Sequence, residues 1–300
     1  MTPTNASSET NTVSESSSST SQIPLEDRIV WLNGVLLPAN EVQISPFDHG
    51  WLVGDAVFET LVIVRGMPFA ISRHLERLTF SAQQMKIALP DTDELRQAMM
   101  DVTDANGLNE GRLRVTISSG TGPLGSARGH SEPTAIIAAT PQTPWPQSSA
   151  VATMSWSINE NSPLAGLKTV SYGANVRALS LAAAKGATEA IFPNTKGQLC
   201  EGTGSNVFLV HRGQLITPSL ASGCLAGVTR QLLIELTGAK EQDIPLPALA
   251  AAAEAFLCST TRNIHPIHTV DNQRLRLCPG PATQAASEAF EQLMATEIDP

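Results

Sequence analysis

Residues Leu199-Cys-Glu-Gly-Thr-Gly-Ser-Asn-Val-Phe-Leu-Val210 decide how the second half of the chain is read. Small turn-forming residues separate one carboxylate, Glu201, from an apolar run of strand-forming residues that starts at Asn206. Glu201 therefore stands at the mouth of a loop that feeds a strand. Such a loop can hold oxyanions through its hydroxyls and backbone N–H groups, and its carboxylate can face a protonated heteroaromatic nitrogen. A solvated acid in a glycine turn has the same local signature.

Upstream lies Leu164-Ala-Gly-Leu-Lys-Thr-Val170. The chain holds fourteen Arg but only five Lys, so an amine-based chemistry has few candidates. Lys185 and Lys196 precede glycines, Lys240 lies in a polar stretch and Lys86 ends an amphipathic helix. Lys168 differs in having apolar neighbours. Desolvation disfavours the ammonium form, and a free amine is what a Schiff-base nucleophile requires. A partly buried structural lysine fits the same position.

Three further segments carry anion-binding chemistry. Leu225-Ala-Gly-Val-Thr-Arg230 opens a helix, whose first N–H groups and dipole attract phosphate. Ser259-Thr-Thr261 ends an apolar strand. His74-Leu-Glu-Arg-Leu78 lies on a helix, and Arg77 there could pair bidentately with a phosphate. Each also reads plainly, as a cap, an ST-turn or an exposed arginine.

Patterning predicts an α+β chain in two domains. Residues 1–22 are Ser/Thr-rich without a basic residue and are expected to form a disordered tail. A small N-terminal α+β domain is expected over 23–140, a Pro-rich linker over 141–149 and a larger C-terminal domain over 150–300. Asn33-Gly34 between apolar runs predicts a hairpin. Strands are expected over 57–64, 112–118, 134–139, 151–158, 189–192, 206–210, 214–217, 255–259 and 264–270. Helices are expected over 73–85, 91–104, 175–186, 227–238 and 282–294.

A net charge of −9 argues against nucleic-acid binding. No apolar run approaches membrane-spanning length, and no signal peptide is evident, so a cytoplasmic enzyme is expected. The four cysteines lack the spacing of zinc ligands and are expected to be reduced.

Taken in order, these segments resemble the class-IV (fold-type IV) pyridoxal-phosphate enzymes. These include branched-chain aminotransferases, D-amino-acid aminotransferases, aminodeoxychorismate lyases and (R)-selective amine transaminases. The resemblance covers about residues 28–275 and rests on Gly54-Asp-Ala-Val-Phe-Glu-Thr60, His74–Leu78, Lys168-Thr-Val-Ser-Tyr172, Glu201–Asn206, Gly227-Val-Thr-Arg230 and Ser259–Thr261. It implies a homodimer with pyridoxal 5′-phosphate in a cleft between a small domain and a larger one with a barrel-like sheet. It implies that Lys168 is the catalytic residue, forming the Schiff base and moving a proton, and that Glu201 pairs with the ring nitrogen. Arg77, Val228, Thr229 and Thr260 would bind the phosphate, Leu225 would pack on the ring, and Tyr172, Ser205 and Asn206 would complete the cofactor site.

The subfamilies divide on the substrate side. Branched-chain enzymes typically carry Phe-Glu-Gly-x-Arg where this chain has Phe58-Glu-Thr-Leu-Val62. D-amino-acid enzymes typically carry Tyr at position 58 and an Arg-x-His trap, whose spacing Arg128 and His130 share a few residues late. Lyases usually read Phe-x-Thr, matched by Phe58 and Thr60, and a loop whose Arg and Tyr are replaced here by Ser119 and Ser126. Aminodeoxychorismate lyase is the best match, with a transaminase or a catalytically silent cofactor-binding module as alternatives. Phe58, Thr60, Arg128, His130, Thr261 and Arg262 are the expected contacts for a small amino-acid-like substrate, with Arg128, His130 and Arg262 as candidate carboxylate binders.

Overall fold

The computed structural model describes residues 24–300, so the expected tail over 1–22 lies outside the described residues. A six-stranded antiparallel sheet is built from β1 (Ile29–Leu32), β2 (Val35–Pro38), β3 (Ala56–Val64), β4 (Met67–Pro68), β5 (Glu110–Ser118) and β6 (Thr134–Thr140), in the order β2-β1-β6-β5-β3-β4. The β1–β2 turn is the expected Asn33-Gly34 hairpin. Both residues take positive φ, 46° and 93°, which Asn and Gly tolerate best. A short helix, α1 (His49–Leu52), precedes β3. Helices α2 (Ile71–Met85) and α3 (Thr92–Ala105) cover one face of the sheet, and their apolar stripes (Leu75, Leu78, Leu95, Met99) pack on Leu61, Leu113 and Ile137. Asp91 caps α3 by accepting the amides of Asp93 and Glu94.

Residues 141–148 carry neither helix nor strand. A nine-stranded mixed sheet follows, from β7 (Ser149–Thr153), β8 (Glu189–Pro193), β9 (Leu199–Gly202), β10 (Asn206–His211), β11 (Gln214–Pro218), β12 (Lys240–Gln242), β13 (Ala255–Ser259), β14 (Asn263–Val270) and β15 (Gln273–Arg274). Around it lie α4 (Gly173–Ala184), α5 (Val228–Thr237) and α6 (Pro281–Thr296). Among the described residues no helix is long and apolar enough to cross a membrane.

The expected helices all form. The strand expected over 151–158 stops at Thr153, and the polar stretch at Lys240 is an edge strand pairing with β11. Glu201, expected in a loop mouth, lies on β9 and pairs with Phe192 of β8.

One crossing positions the site. The segment 168–170 pairs with β3 of the first sheet although it follows β7 of the second. Phe58 N–H donates to Lys168 O at 3.0 Å, Val170 N–H donates to Ala56 O at 3.0 Å, and Val57 bridges Thr169. The Lys168 side chain thus stands where the two sheets meet.

Candidate active site

Between the sheets lies a cleft of about 250 Å³. Lys168 enters it from the segment paired with β3. Its main chain is held by Phe58 and by the Ser81 hydroxyl, which accepts the Lys168 N–H at 3.2 Å. Its Nζ lies 4.2 Å from the centre of the Phe58 ring and 5.9 Å from that of Tyr172. Burial, and then the positive charge of Arg77, push its amine down to about 8. Capture of an aldehyde by Lys168 is therefore expected to rise about tenfold between about pH 7 and 9 and then level off, because only the neutral amine attacks. Stopped-flow trapping of an aldehyde measures this, and a rate still climbing tenfold per unit above pH 9 would show an ordinary lysine instead.

Glu201 faces the same cleft from β9. Burial pushes its carboxyl up to about 7, against the opposing effect of the Leu225 N–H it accepts at 2.9 Å. Among the described residues no side-chain cation pairs with it. The site therefore holds a buried carboxyl that a cationic group in the cleft would return to its charged form.

A third wall is the first turn of α5. Its cap, Gly227, supplies no side chain, and a Cβ there would collide with Asn206 Oδ1. The Asn206 amide donates to Leu225 O at 2.9 Å, fixing the approach to the helix. The N–H groups of Val228 and Thr229 begin the helix without intrahelical acceptors. Arg77 reaches this end from α2, donating to Ala226 O at 3.0 Å. It also donates twice to the fully buried Glu59, at 2.7 Å each, and His74 Nδ1 meets the same carboxylate at 2.7 Å. Burial alone would raise the Glu59 carboxyl, but the Arg77 guanidinium holds it well below the usual range. Burial lowers His74, so the imidazole is neutral and donates its Nδ1–H.

The fourth wall is the cleft-facing row of β3 and β5. Strand alternation turns Phe58 and Thr60 into the cleft and Glu59 away from it. Register places Thr60 opposite Arg114 and Val62 opposite Arg112, and both arginines line the cleft. The Arg114 guanidinium lies 3.7 Å from the centre of the Phe58 ring.

Arg77, Lys168, Tyr172, Glu201, Ser205, Asn206, Leu225, Val228, Thr229, Thr260, Phe58, Thr60 and Thr261 all line this cleft. Three expected substrate contacts do not. Arg128 forms a bidentate pair with Asp55, at 2.6 Å, and donates to the carbonyls of Met85 and Lys86. His130 is exposed on the same loop, outside the cleft. Arg262 is buried behind the site, paired with Glu189 at 3.4 Å. The Thr203 and Ser205 hydroxyls, expected to serve an oxyanion, donate to Glu189 instead. Residues the sequence reading missed are Arg112, Arg114, Asn175 and the Glu59 that holds Arg77. The alternation of Arg112 and Arg114 along β5 was visible, but not which face looks into the cleft.

A family model described as amino-transferase class IV matches residues 56–270. The chain is 30% identical to the aminodeoxychorismate lyase of Bacillus subtilis over 277 residues, covering 88% of this chain and 94% of that one. It is 30% identical to the bifunctional aminodeoxychorismate lyase / D-amino acid transaminase of Mycobacterium tuberculosis, covering 90% and 98%. The solved branched-chain amino acid aminotransferase of Thermobaculum terrenum, in its pyridoxal-phosphate form, superposes with a TM-score of 0.82 at 28% identity, over 91% of this chain and 96% of that one. With the matched model spanning well over half of its length, the chain belongs to the class IV aminotransferases, a family of enzymes that use pyridoxal 5′-phosphate.

Proposed function

We propose that this enzyme is a lyase that splits 4-amino-4-deoxychorismate into 4-aminobenzoate and pyruvate. The observation that carries this reading is the row formed by Phe58, Thr60, Arg114 and Arg112, which shares the cleft with Lys168. A substrate with two carboxylates suits the two guanidinium groups of this row. A branched aliphatic side chain would meet charge there. The likeness to the aminodeoxychorismate lyase of Bacillus subtilis and to the bifunctional aminodeoxychorismate lyase / D-amino acid transaminase of Mycobacterium tuberculosis supports the same reading.

The residues present fit pyridoxal 5′-phosphate. Lys168 offers a buried amine of lowered pKa, and Glu201 a buried carboxyl that a ring nitrogen would pair. The open first turn of α5, at Val228 and Thr229, would hold the phosphate with Arg77 and Thr260. Leu225, Tyr172, Ser205 and Asn206 would border the cofactor. When bound, the cofactor supplies an electron sink for the carbon that carries the substrate amine.

The chain's own residues do the rest. Lys168 Nζ takes the proton from the amine-bearing carbon. The C–O bond to the three-carbon acid then breaks, the six-membered ring becomes aromatic, and the fragment takes up a proton as pyruvate. Glu201 holds the proton at the ring nitrogen. Arg112 and Arg114 bind the two carboxylates, and the Phe58 ring fixes the Arg114 guanidinium. Thr60 donates its hydroxyl to the carboxylate nearest Lys168.

The two sheets support a small domain over 23–140 and a large one over 150–300, joined by 141–149. An exposed apolar surface of Ile44, Phe47, Trp51 and Val53, with Trp51 80% exposed, supports a homodimer, which sedimentation velocity checks.

The decisive test offers 4-amino-4-deoxychorismate, D-alanine and L-leucine separately, the amino acids with 2-oxoglutarate. Release of 4-aminobenzoate is expected from the first. Glutamate from leucine without any 4-aminobenzoate overturns the proposal in favour of branched-chain transamination. Glutamate from D-alanine alone would assign a D-amino-acid transaminase, and bound cofactor with no turnover a silent module.

A further inference from the structure

Behind the cleft, its two polar loops are tied to one buried ion pair. Glu189 on β8 and Arg262, in the turn between β13 and β14, have side chains 2% and 5% exposed. Neither lines the cleft. Arg262 Nη2 lies 3.4 Å from Glu189 Oε2 and donates to Thr188 O at 3.1 Å, while Nη1 donates to Ser149 Oγ at 3.3 Å. Glu189 Oε1 accepts the Thr203 amide at 3.0 Å and the Thr203 hydroxyl, and Oε2 accepts the Ser205 hydroxyl at 3.1 Å. Thr203 and Ser205 belong to the loop that follows Glu201.

The other loop is held from the opposite side. The Arg262 guanidinium lies 3.7 Å from the centre of the Trp145 ring. Trp145 Nε1 and Gln142 Nε2 both donate to Thr261 O, at 2.8 and 2.6 Å. Two residues of the segment joining the sheets thus clamp the backbone between Thr260 and Arg262.

A buried ion pair is a poor device for stability alone, since well-packed apolar residues do as well. What apolar residues cannot do is accept three directed hydrogen bonds from one loop while the partner guanidinium belongs to the other. We propose that Glu189 and Arg262, with Trp145 and Gln142, are positioning residues that set the 201–206 loop against the 259–262 loop. They thereby fix the separation between the carboxyl of Glu201 and the hydroxyl of Thr260, on which tight holding of pyridoxal 5′-phosphate depends. This rests on the assignment of the cleft to that cofactor and is independent of which substrate follows.

The test titrates the full-length, cofactor-free protein with pyridoxal 5′-phosphate and follows the absorbance of the bound form. Arg262→Met and Glu189→Gln are expected to raise Kd about tenfold or more, the loss expected for hydrogen bonds to a charged group. Arg262→Lys should recover most of the affinity. The pH at which the bound cofactor changes colour should move in both weakened variants, because Glu201, carried by the 201–206 loop, no longer keeps its place in the cleft. Thr203→Val keeps volume and ion pair and cuts only the hydroxyl tie, so it should weaken binding even if the charge variants fold poorly. Thermal midpoints of the cofactor-free proteins report the fold separately. A lowered midpoint with an unchanged Kd and colour transition in all variants would make the pair merely structural and overturn the proposal. Absence of 4-aminobenzoate release would remove the lyase reading while leaving these Kd ratios to decide this one.

Discussion

Lys168→Ala is expected to lower turnover about 10³- to 10⁴-fold or more, because the variant loses the buried amine at the meeting point of the sheets and with it the proposed proton carrier. Its cofactor should wash out on gel filtration, since the covalent link cannot form. The protein itself should fold. Lys168 contributes its main chain to the pairing with Phe58 and Ser81, and those bonds survive truncation of the side chain. Removing an amine whose pKa burial has pushed down to about 8 relieves desolvation, so the cofactor-free variant should melt no lower than the parent. Turnover and retained absorbance, measured on one preparation, check both halves. Parental turnover in the variant would remove Lys168 from the chemistry.

The second large effect is expected at a residue that does not line the cleft. Glu59→Gln removes the carboxylate that pairs with Arg77 where the guanidinium and His74 share it. Breaking a buried pair in this way costs about 3–5 kcal/mol, much of it the penalty of leaving a cation uncompensated. The sign with pH follows from the depressed carboxyl. A group held below its ordinary value of 4.5 contributes stability that is fully present above that value and is lost as pH falls through the folded one. Urea titrations of parent and variant should therefore differ most between about pH 5 and 7 and converge as the solution becomes strongly acidic. A constant difference down to the acid limit would mean that Glu59 acts through shape and not charge. With Arg77 in its proposed phosphate-holding role, affinity for phosphate should fall as well, since the guanidinium loses the carboxylate that aims it.

What the sequence disclosed depended on range. Lys168 and Glu201 were legible because their surroundings are local: apolar neighbours on one, small turn residues around the other. The first turn of α5 was legible because Gly-Val-Thr is itself a helix start. Glu59 was not, since a lone acid in an apolar run has no visible partner until α2 brings His74 and Arg77 across it. Arg262 and Arg128 were misread for the same reason. A guanidinium advertises its need for an anion but not which one, and Glu189 and Asp55 met that need before any substrate could. Arg112 and Arg114 stood on an alternating strand that reads as solvent-facing. Only the opposing sheet turns that face into a cleft wall.

The pairing of segment 168–170 with β3 also makes the site depend on both halves. The stretch that bears the reactive amine follows the whole first sheet in the sequence and pairs along its edge, while most of the second sheet lies further along the chain. Glu201 and the α5 turn lie later still. Lys168, Glu201 and the first turn of α5 thus come from separate parts of the chain and meet only in the assembled cleft, so stable uptake of cofactor would serve as a chemical receipt that both halves have folded and met.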